Sequence, residues 1–196
     1  RALLRAAVYG DLRVMIPLVT CVEEVRAVRA LWQEAAQELS ERGADYRADV
    51  PIGVMIETPA AAFTADLLAR EADFFSIGTN DLTGYTMAVD RGNARVAPLY
   101  SALQPAVLRA IREVIAQAKK AGIPVGMCGE SAADPMLIPL LIAFGLDEFS
   151  VTPTAILATR REIARWSRAK ADELAERVLA LSTEKEVAAE LEKALG

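Results

Sequence analysis

Three short apolar runs stop abruptly at polar residues, and this pattern limits the fold more than any other feature of the chain. Ile52-Gly53-Val54-Met55-Ile56 ends in Glu57-Thr58-Pro59. Phe74-Phe75-Ser76-Ile77 ends in Gly78-Thr79-Asn80-Asp81. Pro124-Val125-Gly126-Met127 ends in Cys128-Gly129-Glu130. Short apolar runs bounded by turn residues read as buried strands. In parallel α/β proteins the chemistry lies just past the C-terminal ends of the strands. Three strands therefore aim Glu57, Asn80, Asp81 and Cys128 at one rim. Gly78 permits a bend there that other residues resist.

Helical patterns fill the spaces between the runs. Arg1 to Tyr9 carries Leu3, Leu4, Ala7 and Val8 on one helical face and closes at Gly10. Leu12 to Leu18 reads as a further strand, almost wholly apolar, as strands covered on both faces are. Thr20-Cys21-Val22-Glu23 reads as a capping box opening a helix to Glu41. Pro59 starts a helix through Ala69, and a short one spans Asp81 to Ala88. Helix follows Pro105 to Ala121, ended by Gly122, and another runs from Pro135 to Phe144. Glu148 to Val151 is a last short strand. Thr152-Pro153 starts the next helix. Helix continues from Arg160, with a break at Ser182 and a capping box at Thr183-Glu184-Lys185-Glu186.

Five strands alternating with helices predict a parallel α/β sheet with right-handed crossovers. The candidates are an open doubly wound sheet or part of a (β/α)8 barrel. Five units in about 150 residues match the barrel repeat, with three units missing. The opening Arg1-Ala2-Leu3-Leu4, inside a helix and without an initiator methionine, reads as the start of a fragment.

Composition narrows the function classes. The 196 residues suffice for one domain with a full core, and 53% are apolar. Net charge is -5, with no basic block or aromatic–basic interleaving, which argues against nucleic-acid binding. No apolar run approaches a membrane span, and no secretory signal is visible at the start. Two cysteines, Cys21 and Cys128, make no disulfide framework, so a reducing cytoplasm is the natural setting. The chain contains no histidine. That removes the commonest general base and metal ligand, and any phosphohistidine, from the chemistry of these residues alone.

Each rim residue has two readings. Glu57 and Asp81 supply hard oxygens from neighbouring strand ends, which suits Mg2+ holding substrate oxygens and waters as well. Alternatively both cap helices. Asn80 suits a phosphate or carboxylate oxygen, or is an N-cap. Arg91, in Val89-Asp90-Arg91-Gly92, suits bidentate phosphate contact, or pairs with Asp90. Cys128 is a small buried hydrophobe or a thiol that carries a proton. Taken together on one rim, these residues favour a site. Glu130 reads as standing behind them. Cys21, Trp32, Met15 and Met55 read as packing. Arg13, at the start of its strand, lies on the wrong rim for chemistry.

These same residues carry a family resemblance. Ile52 to Pro59, Phe74 to Thr83, Met87-Ala88-Val89-Asp90-Arg91-Gly92-Asn93 and Gly126-Met127-Cys128-Gly129-Glu130, together with Gly145 to Ser150, resemble the phosphoenolpyruvate-utilising family. The likeness covers almost the whole chain, and its closest branch serves bacterial sugar uptake. It implies a phosphoenolpyruvate/pyruvate-type (β/α)8 barrel of which residues 1–196 are the C-terminal part, strands four to eight, ending in helices over 152–196. It implies Mg2+ on Glu57 and Asp81, substrate contacts from Asn80, Asp81 and Arg91, and Cys128 as the acid that protonates C3 of the enolpyruvate. It further implies phosphoryl transfer to a histidine elsewhere in a longer protein and on to the carrier protein HPr, and a homodimer through the barrel. A dikinase or synthase of the same family, or a non-catalytic dimerisation module, is the alternative. One position departs from the pattern: the family's glutamine after Asp-Leu-Thr is Gly84 here.

Overall fold

The computed structural model describes residues 1–196. Five strands form one parallel sheet: β1 (Val14–Ile16), β2 (Ile52–Ile56), β3 (Phe75–Gly78), β4 (Val125–Cys128) and β5 (Glu148–Phe149). Their order in space is their order in sequence. A doubly wound sheet reverses its strand order at a switch point and carries helices on both faces. Neither feature occurs here. The fold is an arc of five consecutive β/α units of a (β/α)8-type barrel, with β1 and β5 as its two edges.

Side-chain alternation divides the sheet into two faces. Val54, Ile56, Phe75, Ile77, Val125 and Met127 point outward and are buried under the helices. Met15, Met55, Ser76, Gly126 and Cys128 point inward and are half-buried, while Glu148 and Ser150 are exposed. Met15 and Met55, read from the sequence as core, thus face the inside of the arc.

Helices α1 (Ala2–Ala6), α2 (Val22–Glu41), α3 (Pro59–Phe63), α4 (Ala65–Leu68), α5 (Thr79–Met87), α6 (Pro105–Ala121), α7 (Ile138–Phe144), α8 (Ile156–Arg165), α9 (Arg168–Leu179) and α10 (Glu184–Leu195) complete the chain. The centre of the helical layer is α6. Val107, Leu108, Ile111, Val114, Ile115 and Ala118 fall on one stripe and are fully buried. Pro105 opens this helix, and Gly122, at φ 73°, closes it. Burying each large side chain of the stripe contributes about 1.5–3 kcal/mol. From α6 the core continues into α9, through Leu174 and Val178, and into α10, through Val187 and Leu191. A smaller cluster of Leu4, Ala36 and Leu39, with Trp32 against it, fastens α1 to α2. No helix is long and apolar enough to cross a membrane.

Several boundaries differ from the sequence reading. The first strand shrinks to three residues because Pro17 cannot donate to a ladder. Glu24, not Glu23, closes the box at α2, accepting from the N–H groups of Thr20 and Cys21 at 2.6 and 3.2 Å. The helix after Pro59 breaks at Thr64, whose hydroxyl donates to the Ala60 carbonyl at 2.8 Å. A 3-10 turn over Glu130–Ala133 delays α7 until Ile138, and α8 starts at Ile156 rather than at Pro153. The C-terminal run also breaks at Trp166, where Ser167 caps α9. The capping box at Thr183 and Glu186 forms as read.

The N-terminal rim of the sheet is stapled twice by the same device. Asp73 Oδ2 accepts from the N–H of Ile52, the first residue of β2, at 2.7 Å and from Arg29 at 3.0 Å. Two strands on, Asp147 Oδ2 accepts from the N–H of Val125, the first residue of β4, at 3.0 Å, while Oδ1 pairs with Lys119. Burial pushes the Asp147 carboxyl up, but Lys119 and the Val125 N–H together hold it below the usual aspartate value. A carboxyl with a lowered folded-state pKa stabilises above its unfolded value, near 4, and loses that contribution as pH falls through the folded one. Asp147→Asn should therefore lower the melting temperature at pH 7. Melting curves of both proteins over a pH series should converge below about pH 4. A gap that stays constant with pH would show that the charge is not what matters.

Candidate active site

The ladder register fixes the level of the C-terminal rim. Ile56 pairs with Ile77, and Gly78 pairs with Cys128. Glu57, Gly78 and Cys128 therefore lie side by side at the ends of β2, β3 and β4. Thr79, Asn80 and Asp81 form the first turn of α5, immediately beyond.

Glu57 is 4% exposed, so its carboxylate requires hydrogen-bond donors. The N–H of Leu18 supplies one, reaching Oε1 at 2.8 Å. Leu18 takes up a left-handed conformation, φ 51°, on the loop that follows β1. For a non-glycine residue that conformation costs roughly 1–2 kcal/mol. A hydrogen bond to a charged acceptor contributes about 1.5–3 kcal/mol, enough to hold it. Burial raises the pKa of Glu57; the Leu18 N–H opposes this, and the neighbouring Asp81 carboxylate adds to it. A buried carboxylate repelled by an exposed one beside it forms a ready cation site, open to solvent on the Asp81 side.

The capping alternatives fail at each position. The cap of α3 is Thr58, whose hydroxyl accepts from the Ala61 N–H at 3.1 Å and donates to the Val19 carbonyl at 2.8 Å. The cap position of α5 is Gly78, with no side-chain cap. Asn80 and Asp81 are thus left for other partners. Asp90 does not pair with Arg91; its Oδ1 accepts from the Gly92 N–H at 2.8 Å.

Glycines hold the rim open in two ways. Gly78 has an ordinary negative φ of -87°, so the bend read from the sequence is not its reason. A Cβ there would lie 2.6 Å from Glu57 Oε2. Gly78 makes room for the buried carboxylate. Gly129 does need its freedom, at φ 96°, and a Cβ would meet Thr79 Oγ1 at 2.7 Å. The Thr79 hydroxyl donates to the Cys128 carbonyl at 3.1 Å, lacing the end of β4 to the turn of α5.

The candidate residues other than Glu57 line two separate spaces. Asn80, Asp81 and Arg91 line one cavity of about 500 Å3, together with Gly84, Val89 and Tyr100. Cys128 lines the inward-facing hollow of the sheet with Ser76, Gly126, Glu148 and Ser150. Its thiol is 3.7 Å from the Ile77 carbonyl. Tyr100, unnoticed in the sequence, donates to the Asn80 carbonyl at 2.9 Å. Burial raises its pKa, with Arg91 opposing and Glu130 and Asp81 adding. Leu18 was equally unnoticed, because nothing in a leucine announces a left-handed backbone. Arg13 lies at the opposite end of the sheet, 5.9 Å from the centroid of Phe74, as its place before β1 requires.

Gly78 and Gly84 should respond oppositely to alanine. Gly84 lies inside α5, and an added Cβ would only touch the Val89 carbonyl at 3.4 Å and Tyr100 at 3.9 Å. Gly84→Ala should stabilise by about 0.5–1 kcal/mol through helix propensity. Gly78→Ala should destabilise by about 1–3 kcal/mol through overpacking against Glu57. Urea denaturation of both variants measures this. Equal effects of one sign would refute the spatial role given to Gly78.

Comparison with known proteins bears directly on this geometry. Residues 1–168 match the family described as PEP-utilising enzyme, PEP-binding domain. The phosphoenolpyruvate-protein phosphotransferase of Geobacillus stearothermophilus is 49% identical over 187 residues, 95% of this chain and 32% of that protein. The protein of the same name from Bacillus subtilis (strain 168) is 47% identical over 189 residues, 96% of this chain and 33% of that one. That of Enterococcus faecalis is 50% identical over 179 residues, covering 91% and 31%. The chain thus spans about a third of the length of these relatives. The crystal structure of a citrate lyase from Burkholderia xenovorans LB400 superposes with a TM-score of 0.59 over 98% of this chain and 66% of that one, at 20% identity, a likeness of fold. By the family match over most of its length, with the identities of these relatives beside it, the chain belongs to the phosphoenolpyruvate-utilising enzymes and carries their phosphoenolpyruvate-binding domain.

Proposed function

We infer that this chain is the C-terminal part, strands four to eight, of the phosphoenolpyruvate-binding barrel of a phosphoenolpyruvate–protein phosphotransferase, Enzyme I of the bacterial sugar phosphotransferase system. The observation that carries the reading is the buried Glu57 carboxylate beside Asp81, at the rim that also bears Asn80 and Arg91. The names of its relatives support the same reading.

Glu57 and Asp81 would hold Mg2+. The donor set fits: the Glu57 and Asp81 carboxylates lie close enough to raise the pKa of Glu57, and Mg2+ takes one or two carboxylates with waters and substrate oxygens. Bound there, the ion would offset the charge of a phosphate and carboxylate substrate.

Phosphoryl transfer depends on positioning and charge more than on covalent help from the protein. Asn80 and Asp81 would orient the substrate from the first turn of α5, where the helix dipole also favours anions. Arg91 would grip phosphate oxygens through its guanidinium fork. When the P–O bond breaks, the phosphoryl group leaves for a histidine outside these residues, since the chain has none. The enolate of pyruvate then takes a proton at C3, and the Cys128 thiol would supply it. The histidine would pass the phosphoryl group to HPr. Homodimerisation belongs to the same reading. Phe63, 87% exposed on α3, supports it as part of an apolar surface cavity with Pro59, Ala62 and Ala110.

Calorimetric titration with phosphoenolpyruvate, with and without Mg2+, tests the capture site. Binding that requires Mg2+ is expected, with at least about a tenfold loss in a Glu57→Ala/Asp81→Ala variant. Mg2+-independent binding, unchanged in the variant, would sink the assignment. In the longer parent enzyme, Cys128→Ser should leave phosphoenolpyruvate affinity within about twofold and lower turnover by about 100-fold or more, as loss of a general acid does. Turnover at the unmutated rate would remove Cys128 from the chemistry.

A further inference from the structure

The segment from Ala88 to Tyr100 carries Arg91 and has little to hold it. Ala88 ends α5 in a left-handed conformation, φ 53°. Val89 is 8% exposed and anchors the near end, its N–H reaching the Gly84 carbonyl at 2.9 Å. Asp90 to Arg95 are all exposed. Their side-chain hydrogen bonds are internal: Asp90 to the Gly92 N–H, and Asn93 to the Arg95 N–H. No residue from Ala88 to Tyr100 forms a salt bridge. One side-chain hydrogen bond leaves the segment, and Tyr100 makes it.

The place where that bond lands matters. The Tyr100 hydroxyl donates to the carbonyl of Asn80, inside the turn that presents Asn80 and Asp81. The same hydroxyl lies within the influence of Arg91, and ring and guanidinium line one cavity. A phenol that has donated its proton keeps lone pairs free to accept from a guanidinium. Tyr100 thus stands between the two halves of the candidate anion site, the α5 turn and the Arg91 segment.

We propose that Tyr100 is a positioning residue, whose hydroxyl fastens the Arg91-bearing segment to the Asn80 turn, so that capture of an anionic substrate by Arg91 depends on it. The proposal rests on the reading of this rim as a phosphoenolpyruvate site. A flexible arginine loses conformational entropy when it grips a phosphate, and a segment tied at both ends has already lost part of it. Removing the hydroxyl frees the far end of the segment and weakens the grip without taking away any group that touches substrate.

Tyr100→Phe keeps the ring and its packing and removes only the hydrogen bond. Hydrogen exchange on this chain without ligand should show faster exchange over residues 89–99, with α6 and β4 unchanged. Unaltered exchange in that segment overturns the fastening. Phosphoenolpyruvate binding in the presence of Mg2+ then forms a double-mutant cycle. Arg91→Ala should weaken binding by about tenfold or more, and Tyr100→Phe by about three- to tenfold. In the Arg91→Ala background, Tyr100→Phe should change affinity by less than about twofold, because the two act as one unit. Equal losses in both backgrounds would show that Tyr100 does not work through Arg91, and would overturn the proposal. An Arg91→Ala variant with full affinity, or a chain that binds no phosphoenolpyruvate, counts instead against the functional reading. The exchange measurement then decides the fastening by itself.

Discussion

A carboxylate buried at the end of β2 sets the terms for its surroundings. Glu57 has almost no contact with water, so its neighbours must replace the hydration it has lost. Leu18 takes up a conformation that leucine ordinarily avoids in order to aim one N–H at it. Gly78 gives up a side chain so that the second carboxylate oxygen has room. Thr58, next in sequence, takes over the capping of α3 and ties the strand end to Val19 on the same loop as Leu18. Each concession has a cost when considered alone. Together they hold one negative charge at a chosen point, beside a second one at Asp81.

The two ends of the sheet use carboxylates for opposite purposes. At the N-terminal end, Asp73 and Asp147 are neutralised: each accepts from the first N–H of a strand and pairs with a basic residue from a neighbouring helix. Their charge is satisfied within the chain and contributes to stability. At the C-terminal end Glu57 and Asp81 face each other with no basic side chain paired to either. Charge left unsatisfied at that end and satisfied at the other is the division of labour expected of a barrel, with chemistry at the strand C-termini and stability at the bottom.

Much of this was legible in the residues. The strand ends at Glu57, Gly78 and Cys128 could be located because apolar runs stop sharply there, and parallel register then brought them level. The pattern of α6 was equally plain, since six buried positions share one helical stripe. Boundaries that depend on a single hydrogen bond were less legible. Thr64 breaking the helix after Pro59, and Glu24 replacing Glu23 at α2, turn on which of two similar groups lies within reach. The choice between a doubly wound sheet and a barrel arc also stayed open from alternation alone. Strand order and the bare inner face close it, and both depend on long-range packing.

The residue pattern alone was enough to place the alternation of strands and helices and the polar residues that terminate β2, β3 and β4. These follow from local periodicity, which a chain expresses without reference to distant residues. Packing settled the rest: that the strands bury their outward face alone, that Glu57 is a buried charge rather than a cap, that Gly78 supplies space rather than a bend, and that Tyr100 reaches back twenty residues to hold Asn80. Those outcomes depend on which groups meet across strands and loops far apart in sequence. A residue's type limits what it can do, but its neighbours in space decide which of those things it does.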